Sequence, residues 1–196
     1  MMRPCRLPAR RLAMRSSSHR DPWLHHLPHS SGCGGFYDWL VHVGSLTARI
    51  RSRCSDFRVR LVAQDRRVPF GDELAPLGLR AGESAWVREV VLLSGDTPLV
   101  FAHTVLPAAN ARGAWRLLAG LGTKPLGELL FTDPLIARAA LRYPRLDPRC
   151  AMHARAAAAC GVQADTLWAR RSLFRRDGRS ILVSEVFLPE ILNLPK

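Results

Sequence analysis

Residues 85–107, AWVREVVLLSGDTPLVFAHTVLP, have the pattern of two strands joined by a tight turn. Trp86, Val90 and Leu92 alternate with Val87, Val91 and Leu93, the period of a strand. The run Ser94-Gly95-Asp96-Thr97-Pro98 supplies turn chemistry, and residues 99–106 return as a second apolar strand. Arg88 breaks the pattern, because it shares a face with Trp86, Val90 and Leu92. If that face is inward, an unpaired guanidinium in the core costs on the order of several kcal/mol. Arg88 then requires an anion, from the protein or from a ligand. A second inward charge lies in RSILVSEVFLP, residues 179–189, where Glu185 falls on the face of Ile181, Val183 and Phe187. Alternation alone leaves three readings open: a structural ion pair of Arg88 with Glu185, an outward face on a strand covered on both sides, or a binding site.

The rest of the chain frames these strands. The spacing of Phe36, Trp39, Leu40 and Val43 predicts a helix stopped by Gly44, and Ser45 caps a second short helix from Leu46 to about Arg53. Residues 56–64 alternate as a strand, and residues 68–82 read as a loop punctuated by proline and glycine. Residues 108–118 are predicted helical, and Thr123 caps a helix with Pro125 in its first turn. Residues 134–141 and 150–160 are alanine-rich and predict two further helices. Residues 168–175 and 180–188 form a hairpin about Asp177-Gly178. Hairpins with helices grouped between them give an α+β fold, an antiparallel sheet with helices on one face. No βαβ alternation or GxGxxG loop points to a nucleotide cofactor.

Composition narrows the function classes. No apolar run approaches the roughly 18 to 20 residues of a membrane span, so stable membrane insertion is not expected. Five cysteines without a CxxC pair argue against a disulfide framework or a zinc site. The net charge of +13 invites a nucleic-acid reading, but no nucleic-acid-binding motif accompanies it, so no nucleic-acid partner is expected. Residues 1–34 carry six arginines and one acid, and read as a basic, disordered arm ahead of a domain at 35–196. His25, His26 and His29 with Cys33 lack the acids and frame of a metal site. Arg138, Arg142, Arg145 and Arg149 read as solvated basic surface.

Two helix starts, Ser45-Leu46 and residues 123–126, each present first-turn amides without partners in the helix. Such groups bind carboxylates, and with inward Arg88 they compose a carboxylate site, leaving Glu185 to address a hydroxyl. WVREVVLL around Arg88, LGTKPLGELLF at 121–131, WARRSLF at 168–174 and LVSEVFLP at 182–189 occur in that order, with GSLTARI at 44–50 a looser match. In these pieces, over residues 36–189, the chain resembles the chorismate pyruvate-lyases, bacterial enzymes that make 4-hydroxybenzoate for ubiquinone. The stretch 133–165 is longer than in compact members of that family.

The resemblance implies a single, highly twisted antiparallel sheet with helices on one face and a product site buried beneath two helix-turn-helix lids. It implies that Arg88 binds the substrate carboxylate with the backbone amides of Leu46 and Leu126, and that Glu185 meets the 4-hydroxyl. The implied reaction eliminates pyruvate from chorismate, with Arg88 and Glu185 as catalytic residues and no metal or other cofactor. A cytoplasmic monomer is expected. The alternative is a non-catalytic binder or sensor of 4-hydroxybenzoate, or of a related aromatic acid, on the same fold.

Overall fold

A computed structural model describes residues 26–29 and 32–195. The arginine-rich part of the N-terminal arm, with His25, lies outside the described residues. Among the described residues, seven strands form one sheet: β1 (Phe57–Arg67), β2 (Ala85–Ser94), β3 (Thr97–Pro107), β4 (Ala137–Arg138), β5 (Arg145–Leu146), β6 (Leu167–Arg176) and β7 (Arg179–Phe187). The order is β1-β2-β3-β7-β6-β4, with β5 also on β6, and every pairing is antiparallel. Both anticipated hairpins are present. In the β6–β7 turn Asp177 (φ 51°) and Gly178 (φ 73°) both take positive φ, as a two-residue hairpin with the right-handed strand twist requires.

Among the described residues, five α-helices join the strands: α1 (Tyr37–Val41), α2 (Leu46–Arg51), α3 (Gly71–Leu77), α4 (Leu126–Thr132) and α5 (Ala151–Cys160). On one face, Met152 and Ala156 of α5 pack with Val91, Phe101 and Val186. Beside them, Leu77 and Leu79, at and beyond the end of α3, meet Ala85, Val87 and Val105. The opposite face is covered by α1–α2 and by a 3₁₀ segment (Gly113–Gly120) followed by α4, two helix–turn–helix units. They pack on Val90, Leu92, Phe187 and Trp168 at one end, and on Leu106, Ile181 and Phe174 at the other. Leu27 and Cys33 are buried in the first of these clusters, so packing begins before Phe36.

Three segments differ from their sequence patterns. Residues 134–141 are not helical: Pro134 and Leu135 form a turn and the chain then runs extended, with β4 pairing Arg138 to Phe174. From Ala137 to Leu146 the chain runs along the outer edge of β6, where Ala139 N donates to Leu173 O (2.8 Å) and Arg142 and Arg171 exchange backbone bonds. An unsatisfied strand edge outweighs alanine's helix preference, which is a weak prior. Residues 71–77, inside the expected loop, form α3, closed by Gly78 at φ 65° and started by Glu73, whose carboxylate accepts from Phe70 N (2.9 Å). Residues 108–118 are not one helix but two 3₁₀ pieces, separated near Gly113 at φ 62°.

The face covered by α3 and α5 holds a buried charge cluster. His103 of β3 lies between Glu89 of β2 (Nδ1 to Oε1, 3.2 Å) and Glu73 of α3 (Nε2 to Oε1, 3.3 Å). Arg155 of α5 donates to the other oxygen of Glu89 at 2.8 and 2.5 Å, and Arg67 approaches it at 3.6 Å. Burial alone would lower the pKa of His103, but the two carboxylates raise it to about 9. Burial likewise opposes ionisation of Glu89, yet His103 and Arg155 hold its pKa at about 2. His103 and Glu89 are therefore both charged near neutrality, and the cluster fastens both helices to the sheet.

Candidate active site

Strand alternation sends every second residue of the four central strands toward the two helix–turn–helix units. One cross-strand row reads Arg88, Thr104, Val183, Ser172, and the next reads Val90, Ala102, Glu185, Arg170. All except their hydrophobic members can hydrogen-bond or carry charge, and Ala102 leaves the space a larger side chain would fill. Above the two rows lies a cavity of about 610 Å³ of empty space, its mouth included. Leu46, Thr47, Pro125, Leu126 and Gly127 close it from the lid side.

Arg88 is buried, with only 6 % of its surface exposed. Its Nη2 donates to the carbonyls of Gly122 and Lys124, each at 2.9 Å, and Nε approaches Gly122 O at 3.3 Å. Those carbonyls belong to the turn that leads into α4, so the guanidinium is fixed beside the start of that helix. Nη1 makes no hydrogen bond to the described residues and remains a donor for the cavity. Burial lowers the Arg88 pKa to about 10, which leaves a full cation at neutral pH. Glu185 is not its partner, so the ion-pair reading of these two residues does not hold.

The two lids converge over this end of the cavity. Leu46 and Leu126 are the first residues of α2 and α4, and both line the cavity. Ser45 caps α2 by accepting from Ala48 N (3.3 Å). A Cβ on Gly127 would lie 3.0 Å from Thr47 Oγ1 and 3.1 Å from Ser45 Oγ. The helix starts therefore approach at a distance that glycine permits and a side chain crowds. Their first-turn amides and Arg88 thus share one end of the cavity.

Glu185 occupies the other end, two strands from Arg88 and one row away, or roughly 10 Å across the sheet. Its partner is Arg170, whose Nε donates to Oε2 at 2.6 Å. The Arg170 side chain is 1 % exposed, and its Nη1 donates to the carbonyls of Trp39 (3.1 Å), Leu40 (3.4 Å) and His42 (2.5 Å). One guanidinium thus holds Glu185 and ties the end of α1 to the sheet. Sequence reasoning missed Arg170, although Trp168, Arg170, Ser172 and Phe174 alternate onto the cavity face. The adjacent Arg171 points to the other face and pairs with Asp72 (3.0 Å), so the Arg-Arg pair is not the surface feature it resembles.

Arg138 also departs from expectation. Arg145 and Arg149 are exposed, but Arg138 lies against the cavity wall. Its guanidinium sits 5.3 Å from the Phe174 ring and 5.5 Å from that of Phe131. Burial, reinforced by the charge of Arg170, lowers its pKa to about 10. Among the described residues, no group of three or more His, Cys, Asp or Glu side chains could hold a metal ion. Likewise no described helix is long and apolar enough to cross a membrane.

Comparison with known proteins identifies the family. The family model described as chorismate lyase matches residues 20–194. A protein of Aromatoleum aromaticum named "Probable chorismate pyruvate-lyase" is 52 % identical over 184 residues, 93 % of this chain and all of that protein. One of the same name from Nitrosospira multiformis is 51 % identical over 80 % of this chain and 87 % of its own. Among solved structures, the PhnF C-terminal domain matches with a TM-score of 0.54 at 14 % identity, covering 68 % of this chain and 83 % of that one. The effector domain of PhnF from Mycobacterium smegmatis matches with a TM-score of 0.50 at 15 % identity, over 76 % and 91 % of the two chains. At such identities the likeness is one of fold, a single antiparallel sheet with helices. Family model and relatives together span most of the chain, and it belongs to the chorismate lyase family.

Proposed function

We propose that the protein is a chorismate pyruvate-lyase that forms 4-hydroxybenzoate in the cytoplasm for ubiquinone biosynthesis, acting as a monomer without a cofactor. The observation that carries this reading is the two-ended cavity. At one end stand Arg88 and the amides of Leu46 and Leu126, suited to the ring carboxylate. At the other stands Glu185, suited to the 4-hydroxyl. The cavity wall carries three arginines, Arg88, Arg138 and Arg170, against one glutamate, and chorismate is a dianion. The excess positive charge favours the substrate over its singly charged products.

The reaction needs little from the protein beyond placement. The bond from the ring to the ether oxygen breaks, and the carbon bearing the 4-hydroxyl loses its hydrogen as a proton. The electron pair of that C–H bond completes the aromatic ring. The three-carbon fragment leaves as enolpyruvate and takes up a proton on its methylene carbon to become pyruvate. Arg88 and the two amides hold the ring by its carboxylate. Glu185, kept in place by Arg170, meets the 4-hydroxyl and assists proton transfer at the adjoining carbon. Positioning in a closed, preorganised site supplies most of the acceleration.

The test is to add chorismate to the purified chain, with and without EDTA, and to measure both products. Equal amounts of 4-hydroxybenzoate and pyruvate, indifferent to EDTA, are expected. Glu185→Gln should lower kcat about 10²-fold or more while leaving 4-hydroxybenzoate affinity within a few-fold. An unchanged kcat removes Glu185 from the mechanism. Tight 4-hydroxybenzoate binding by wild type without turnover would replace the lyase reading with a sensor.

A further inference from the structure

Chorismate has a second carboxylate, on the enolpyruvyl ether, and Arg88 with the two helix starts accounts for only the first. Arg170 cannot grip the second with paired donors, because its Nε is given to Glu185 and its Nη1 to three backbone carbonyls. Arg138 can. Nη1 donates to Val43 O (2.7 Å), but Nε is inaccessible to solvent and has no hydrogen-bond partner. Nη2 makes no hydrogen bond, and no carboxylate of the described residues lies within ion-pair distance of the group. The Phe131 and Phe174 rings hold the guanidinium in position. What remains is the Nε–Nη2 edge, two parallel donors spaced for the two oxygens of one carboxylate.

Location agrees with this role. Arg138 is close enough to Arg170 and Glu185 to feel both charges, which places it at the hydroxyl end of the cavity. The enolpyruvyl ether stands on the ring carbon next to the one bearing the hydroxyl, so its carboxylate projects from that same end. We infer that Arg138 binds the carboxylate of the departing three-carbon fragment through Nε and Nη2, and so distinguishes the dianionic substrate from the singly charged aromatic product. Its contacts with Val43 in one lid unit and Phe131 in the other place this carboxylate where the two units meet.

This inference rests on the lyase reading, and its test separates the two. Arg138→Gln and wild type are titrated calorimetrically with 4-hydroxybenzoate and with 3-(carboxymethoxy)-4-hydroxybenzoate. The second ligand is a stable dianion with an ether-linked carboxylate beside the hydroxyl, and it needs no turnover. In Arg138→Gln, affinity for the dianion should fall on the order of 30-fold or more, with 4-hydroxybenzoate changing less than about threefold. The chorismate kcat/KM should fall in step with the dianion. Arg138→Lys, which keeps the charge without the fork, should recover part of the loss. If the glutamine variant does not fold, the lysine variant is read by the same ratio and should lose about tenfold. Equal losses for both ligands would make Arg138 a structural tie between the lids, and no loss for either would remove it from the site; both results overturn the inference. Failure of wild type to convert chorismate would instead overturn the lyase reading, whatever the titrations give.

Discussion

Replacing Arg170 with Met tests whether one guanidinium supports both the Glu185 carboxylate and the helical unit above it. Methionine retains much of the apolar stem, so the change chiefly removes the charge and its donors. Lost with them are the 2.6 Å contact to Glu185 and the bonds to the Trp39, Leu40 and His42 carbonyls. Arg170 is 1 % exposed and the Glu185 side chain 17 %, so water cannot fully replace the partner. Breaking a buried pair from one side costs about 3–5 kcal/mol, against about 0–1 kcal/mol for a surface pair. In a domain of this size that lowers Tm by roughly 6–20 °C. Arg170→Met with Glu185→Gln removes the stranded charge, and should recover about 1–3 kcal/mol relative to Arg170→Met alone. Urea titrations of wild type, both single variants and the double variant, followed by tryptophan fluorescence, close the cycle. A loss below about 1 kcal/mol in Arg170→Met, or no recovery in the double variant, would refute the account of this pair.

The remaining predictions concern the opposite face of the sheet and the closure of the cavity. The His103 pKa of about 9 lies above its ordinary 6.5, so its contribution is fully present below about pH 6.5 and is lost as pH rises through 9. The full shift corresponds to about 3 kcal/mol, or roughly 6–12 °C in Tm, and His103→Gln should flatten this slope; an equal slope in the variant would assign it elsewhere. Glu89, held at about 2, adds an acid arm, with stability lost as pH falls from about 4.5 toward 2. Gly127→Ala sets helix propensity against lid closure. Alanine favours the helix by about 1 kcal/mol, but its Cβ meets Thr47 and Ser45 at 3.0 and 3.1 Å. Tm should therefore hold or rise while 4-hydroxybenzoate affinity falls about tenfold; unchanged affinity would show that the lids need not approach so closely.

The parts of this molecule legible in its sequence are those where one face must be apolar. Alternation in β2 and β7 exposed Arg88 and Glu185 as inward charges, and turn chemistry located both hairpins. What alternation could not supply was the partner of each charge. Arg88 is anchored by the carbonyls of Gly122 and Lys124, which leave no trace in residue type, and Glu185 by Arg170, hidden beside an arginine of opposite orientation. Arg138 was obscured for another reason. Alanine-rich residues 134–141 have a local preference for helix, but the edge of β6 holds most of them extended by hydrogen bonds that depend on distant residues. In α3, Gly71, Pro76 and Gly78 suggested a loop, although seven residues with Glu73 at the start suffice for a short helix. Local pattern thus revealed Arg88 and Glu185, while the places of Arg138 and Arg170 depended on tertiary packing.

A crystal structure of the chain with 4-hydroxybenzoate tests the two-ended site most directly. The predicted arrangement places the carboxylate on Arg88 and the amides of Leu46 and Leu126, with the hydroxyl on Glu185. A ligand bound in the reverse sense, or outside this cavity, would contradict it.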